Sequence, residues 1–163
     1  MSEKNPYPHL LRCSAIVDDE ETFTHPWNPN SEITGTHLSG LAGLKRTGVS
    51  LVRLAPGKES FAYHLHHREE EWMYILAGKG IARVDGSDYE LAPGDFIAFP
   101  TPSVPHLMIN AHDDELVYLM GGENLEFEIA DFPTLDKRMI RRGSDIDIYK
   151  LSDGQPFETA DSS

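Results

Sequence analysis

The chain has 163 residues, 39% of them apolar and 25% charged, which suffices for one packed domain and is too short for two ordinary ones. Acidic side chains outnumber basic ones 27 to 14, and the resulting formal net charge of -13 repels phosphate backbones, so nucleic acid is not an expected partner. The single cysteine, Cys13, rules out an internal disulfide; no apolar run reaches the roughly 18 residues that span a bilayer, and the N-terminal segment lacks a signal-peptide pattern, so a soluble cytoplasmic protein is expected.

In chain order, residues 1–44 read as an irregular extension that packs on the main domain or on a partner subunit. From Asp18 to Gly40 turn formers are dense and no period is visible, which predicts loop. His25, Trp27 and His37 lie in this stretch without a pattern, and packing or solvent exposure accounts for them. Residues 45–130 carry short strand-like runs punctuated by turns: Val49 to Ala55, Phe61 to His66, Trp72 to Ala77, Ile81 to Val84, Tyr89 to Leu91, Phe96 to Phe99, His106 to Asn110, Leu116 to Met120 and Leu125 to Ile129. Asp85-Gly86 is the dipeptide that favours a tight hairpin. No helical stripe is sustained, so the fold class is all-β, a sandwich or barrel. Residues 131–163 read as a C-terminal extension, frayed after about Gln155.

The chemistry concentrates in Tyr63-His64-Leu65-His66-His67-Arg68-Glu69-Glu70-Glu71-Trp72. Residues two apart on a strand share a face, so His64 and His66 project together, a poor core filling and a good grip on a transition metal. Glu71 opens the next strand and can deliver a carboxylate to the same point; His106 opens a later one after the turn-rich segment Pro100 to Pro105. His67 has the opposite parity and should face outward. Glu69 reads as part of a solvated turn and Glu70 as a rim residue. Trp72, Tyr74 and Leu76 share the face opposite Glu71, Met73 and Ile75, where a terminal segment or a second subunit could cover them. His9 and His112 fall outside any pattern.

Gly57 to Gly78 and Gly94 to Asn110 resemble the two motifs of the cupin superfamily, G-x5-H-x-H-x3,4-E-x6-G and G-x5-P-x-G-x2-H-x3-N. His64 and His66 match H-x-H. Glu71 fits its slot from both sides, whereas Glu70 fits only from the histidine side. His106 and Asn110 match the end of the second motif. The sequence departs from the pattern in two loops: six residues separate Gly57 from His64, and one extra residue lies between Pro100 and His106, with Pro102 where glycine is expected. The fifteen residues between the motifs resemble the spacing of small single-domain bacterial cupins.

The resemblance implies a double-stranded β-helix, a jelly-roll barrel, with His64, His66, Glu71 and His106 holding one divalent transition metal ion, Fe, Mn, Ni or Zn. Four such ligands leave about two positions open on a six-coordinate ion. It implies a metal-dependent enzyme of dioxygenase, decarboxylase, lyase or isomerase type on a small organic substrate; the alternative is a non-catalytic module that binds or senses a small molecule. Tyr63, Arg53 and Arg83 lie near the motif with ambiguous facing, so no catalytic acid or base is identified. Terminal strands of such barrels commonly reach a neighbour, and a homodimer is expected, with residues before Gly48 contributing to the contact.

Overall fold

The computed structural model describes residues 7–156. Most of the segment expected to fray, after Gln155, lies outside the described residues. The chain forms α1 (Cys13–Asp18), β1 (Glu21–Phe23), β2 (Ile33–Thr36), α2 (Leu38–Leu41), β3 (Thr47–Leu54), β4 (Leu65–His66), β5 (Glu71–Ala77), β6 (Gly80–Val84), β7 (Ser87–Leu91), β8 (Phe96–Phe99), β9 (His106–Ile109), β10 (Leu116–Glu123), β11 (Phe127–Phe132), β12 (Lys137–Arg142) and β13 (Asp145–Lys150). Among the described residues the strands form three antiparallel sheets, in the orders β1-β2-β3-β10-β5-β8, β13-β12-β11-β4 and β7-β6-β9. No helix among them is long and apolar enough to cross a membrane.

Local chemistry explains the elements that position the site. Asp85 and Gly86 both have positive φ, 49° and 76°, as the two-residue turn joining β6 to β7 requires. On β5 the alternation is strict: Met73 and Ile75 are buried, while Tyr74 and Leu76 are 39% and 43% exposed. The register of β10 places Gly122 opposite Glu71, Met120 opposite Met73 and Tyr118 opposite Ile75. The barrel is therefore polar at the Glu71 end of β5 and filled with apolar side chains at the other, where Val52, Leu54, Ile75, Met108, Leu116 and Tyr118 form the core. The indole of Trp72 lies across Gly121, where a Cβ would come within 2.2 Å of the ring, and stacks on Phe96 at 5.9 Å.

Three expectations are corrected. The supposed loop from Asp18 to Gly40 contains β1, β2 and α2, because β2 completes the backbone ladder along the open edge of β3 through Thr34↔Arg53, Gly35↔Val52 and Thr36↔Leu51. A Cβ on Gly35 would sit 2.2 Å from the Leu51 carbonyl oxygen, so this glycine permits the close pairing instead of breaking it. The C-terminal extension is not irregular: β12 pairs with β11 and β13 with β12, so the sheet continues well past residue 130. The strand expected from Phe61 to His66 is paired in a ladder only at Leu65–His66, with His64 held to His106 by a separate bridge.

Candidate metal centre

His64, His66, Glu71 and His106 converge: one ligand atom from each lies within 4.8 Å of all the others. The Nε2 atoms of His64 and His66 are 3.1 Å apart, and Glu71 Oε2 lies 3.1 Å from His66 Nε2 and 3.2 Å from His106 Nε2. Donors at right angles around one ion, each near 2.1 Å from it, lie about 3.0 Å apart. These separations fit adjacent ligands of a single cation.

The ring orientations of two of the histidines fit as well. His64 Nδ1–H donates to the Ala62 carbonyl at 2.7 Å and His106 Nδ1–H to the Val104 carbonyl at 3.0 Å, which turns both Nε2 lone pairs toward the common point. His106 is fully buried and stacks flat on Phe99, centroids 3.7 Å apart. Behind His66, Glu128 Oε1 lies 3.5 Å from Nδ1. The Glu128 carboxylate is itself fixed by the backbone N–H groups of His67 at 3.0 Å and Glu69 at 2.8 Å.

In the metal-free chain burial pushes the His64 imidazolium down to about 3, outweighing the attraction of Glu71. Burial works the same way on His66, but the Glu128 and Glu71 carboxylates overcome it and raise its pKa to about 9. Burial alone would raise the Glu71 carboxyl; the His106 and His66 rings beside it instead hold it well below the usual carboxylate range. Without metal the set therefore holds an ionised Glu71, a neutral His64 and a protonated His66, which must release its proton when it takes a cation.

His67 behaves as its parity predicts: it turns away from the ligands and its Nε2 meets Asp131 at 2.8 Å, beside the Arg138–Asp131 pair. Glu70 is exposed at the cavity rim. Glu69 is not a solvated turn residue. It is half-buried, accepts the Leu125 N–H and pairs with Arg141.

A cavity of about 430 Å³ opens beside the ligands, and part of its wall comes from residues read from sequence as inconspicuous. His25 and His37 both line it. The Trp27 N–H donates to His25 Nδ1 at 3.3 Å, and burial lowers the pKa of this ring, so the neutral form with its proton on Nε2 is favoured. Phe61 and Phe132 flank His25 at 6.2 and 5.9 Å, and Phe132 stacks on His64 at 5.7 Å. The irregular loop before His106 also has a role: Ser103 Oγ accepts the His66 N–H at 2.7 Å, and Ser103 N–H donates to the His66 carbonyl at 2.8 Å. Nothing in the spacing pointed to Glu128, Ser103 or His25. Glu128 does fall within the last strand expected from sequence, Leu125 to Ile129, but its burial shows only in the fold. The Tyr118 hydroxyl, on the inner face of β10, is buried without a hydrogen-bond partner.

The family model for the cupin domain matches residues 50–122. A crystal structure of a provisionally named sugar phosphate isomerase from Acidithiobacillus ferrooxidans matches with a TM-score of 0.88 at 32% identity, covering 95% of this chain and 100% of that one. A sugar phosphate isomerase of the cupin superfamily from Silicibacter pomeroyi matches with a TM-score of 0.75 at 27% identity, covering 89% and 96%. An uncharacterized protein of Methanocaldococcus jannaschii is 40% identical over 47 residues, 29% of this chain and 37% of that protein, so the chain matches little more than a third of that relative's length.

Proposed function

This chain belongs to the cupin superfamily, and on that premise we propose that it is a metal-dependent enzyme acting on a small organic substrate. One observation carries the reading: four correctly oriented metal-ligating side chains converge beside an open cavity large enough for a small molecule. When bound, Fe, Mn, Ni or Zn supplies Lewis acidity at the positions that the four ligands leave free. The chain's own residues do the rest. His64, His66, Glu71 and His106 set the orientation of those positions, Glu128 and Ser103 keep His66 in place, and the aromatic side chains around His25 keep water from one side of the site.

Dioxygenase, decarboxylase, lyase and isomerase chemistry all suit this arrangement, and the names of the two structural relatives favour isomerase. A second reading, a module that binds or senses a small molecule without turning it over, uses the same cavity. Metal analysis of untagged protein, followed by turnover and oxygen-uptake screening across small acids, phenols and sugars, tests the proposal. About one metal ion per chain together with turnover supports it; stoichiometric metal with no turnover on any compound favours the sensing module; absence of metal sinks both. We also propose a homodimer, supported by the exposed apolar side chains Tyr74, Leu76 and Phe96 on β5 and β8 and by the open edge of β1. Light scattering at micromolar concentration should give twice the 18.3 kDa chain mass; a monomer mass ends that proposal.

A further inference from the structure

The walls of the cavity beside the ligands differ sharply in character, and together they restrict what can enter. Apart from the candidate ligands His64 and His66, its ionisable lining among the described residues is Glu69, Glu70, Glu71 and Glu123 with His25 and His37, and no described lysine or arginine lines it. The cations nearest in the hydrogen-bond network are committed elsewhere: Arg141 to Glu69, and Arg138 to Asp131 through two bonds of 2.7 and 2.8 Å. The two lining histidines outside the ligand set cannot take the place of a cation pair. His25 accepts the Trp27 N–H on Nδ1, and burial works against its charged form, so it offers a single N–H. His37 has its ring nitrogens at the Ser50 and Ser39 hydroxyls, 3.2 and 3.3 Å away. Phe61, Phe132, Met120 and Met139 add an apolar surface to the same cavity.

A phosphate group carries close to two negative charges near neutral pH, and proteins hold such groups with Arg, Lys or clustered backbone N–H groups. A phosphate on the part of the molecule remote from the metal would meet carboxylates and aromatic faces. Desolvating a dianion where no cation faces it is strongly unfavourable, whereas a ring placed against Phe61 and Phe132 gains both apolar burial and aromatic contact. We propose that the cavity takes a small molecule with an apolar, ring-sized body and no phosphate, which binds the metal through its polar end. The inference rests on the metal-centre reading above and departs from the substrate in the names of the two structural relatives.

The test compares two metal chelators with the same head, acetohydroxamic acid and benzohydroxamic acid, by calorimetry on the metal-loaded protein, with glucose 6-phosphate as competitor. Benzohydroxamic acid should bind about tenfold or more tighter, the effect of burying one ring face. Phe61→Ala should narrow that ratio while leaving acetohydroxamic acid unchanged; Met139→Ala provides the same comparison if the first variant does not fold. Millimolar glucose 6-phosphate should fail to displace benzohydroxamic acid. Equal affinities for the two chelators, a ratio unmoved in the folded variant, or displacement by glucose 6-phosphate overturns the inference. If neither chelator binds although the protein is folded, the metal-centre reading has failed instead, which is a different result from equal binding.

Discussion

The cavity wall that carries the ligands and the aromatic wall are held by different forces. On the ligand side polar contacts do the fixing: the His64 ring bonds the Ala62 carbonyl, the His106 ring bonds the Val104 carbonyl, and the His66 backbone is held by Ser103 with the Glu128 carboxylate 3.5 Å from the ring. On the aromatic side His25, Phe61 and Phe132 are held by ring contacts, and Trp27, which does not itself line the cavity, meets Phe132 edge-on at 5.0 Å. Hydrogen bonds fix an angle, and a metal needs angles; ring packing fixes a volume, and a substrate body needs a volume. The two walls should therefore fail separately.

The largest effect is expected at the ligands themselves. His106→Ala removes one donor and should leave the protein essentially without metal, while His67→Ala, whose ring points to Asp131, should retain a full complement. Elemental analysis decides this, and equal metal loss in both would mean that the strand register is misassigned. Phe132→Ala attacks the other wall. It should cost about 3 kcal/mol of stability, the usual penalty for truncating a buried phenylalanine, and leave the metal in place. Loss of metal on a par with His106→Ala would erase the separation between the walls. Glu128→Gln tests the support behind His66: metal affinity should fall roughly 10–100-fold, as such outer partners typically contribute, with the far-UV spectrum unchanged. The smallest effect belongs to Tyr118→Phe. Removing a buried hydroxyl that has no hydrogen-bond partner should raise stability by up to about 1 kcal/mol, and a lowered melting temperature would show that the hydroxyl is bonded after all.

The same contrast explains what the sequence disclosed. The ligand wall obeys strand alternation and motif spacing, so His64, His66, Glu71 and His106 could be named, His67 set aside, and Glu71 preferred to Glu70. The outward Tyr74 and Leu76 followed from the same parity. Ring contacts have no period. His25 reaches the cavity because β1 and β2, three and four residues long, return along β3, and strands that short cannot show alternation amid Asn, Pro and Gly. Glu69 was misread for a related reason: its partners, Leu125 and Arg141, are distant in sequence, and nothing local distinguishes a carboxylate that has such partners from one that faces solvent. The C-terminal hairpin was missed because both of its strands are rich in charge, and β13 is mostly exposed, so neither reads as a buried face.

One consequence follows from where the chain's two tryptophans fall. Trp72 directly follows Glu71 on the opposite face of β5, its indole seated over Gly121, while Trp27 packs on the cavity-lining Phe132 with the Lys137 ammonium 5.1 Å from its ring centroid. One intrinsic fluorophore thus sits behind the ligand strand and the other behind the aromatic cluster. With Trp72→Phe and Trp27→Phe as single-reporter variants, the arrival of a quenching metal and the arrival of a ring-bearing ligand become two optical signals that can be timed independently in one cuvette, without a label.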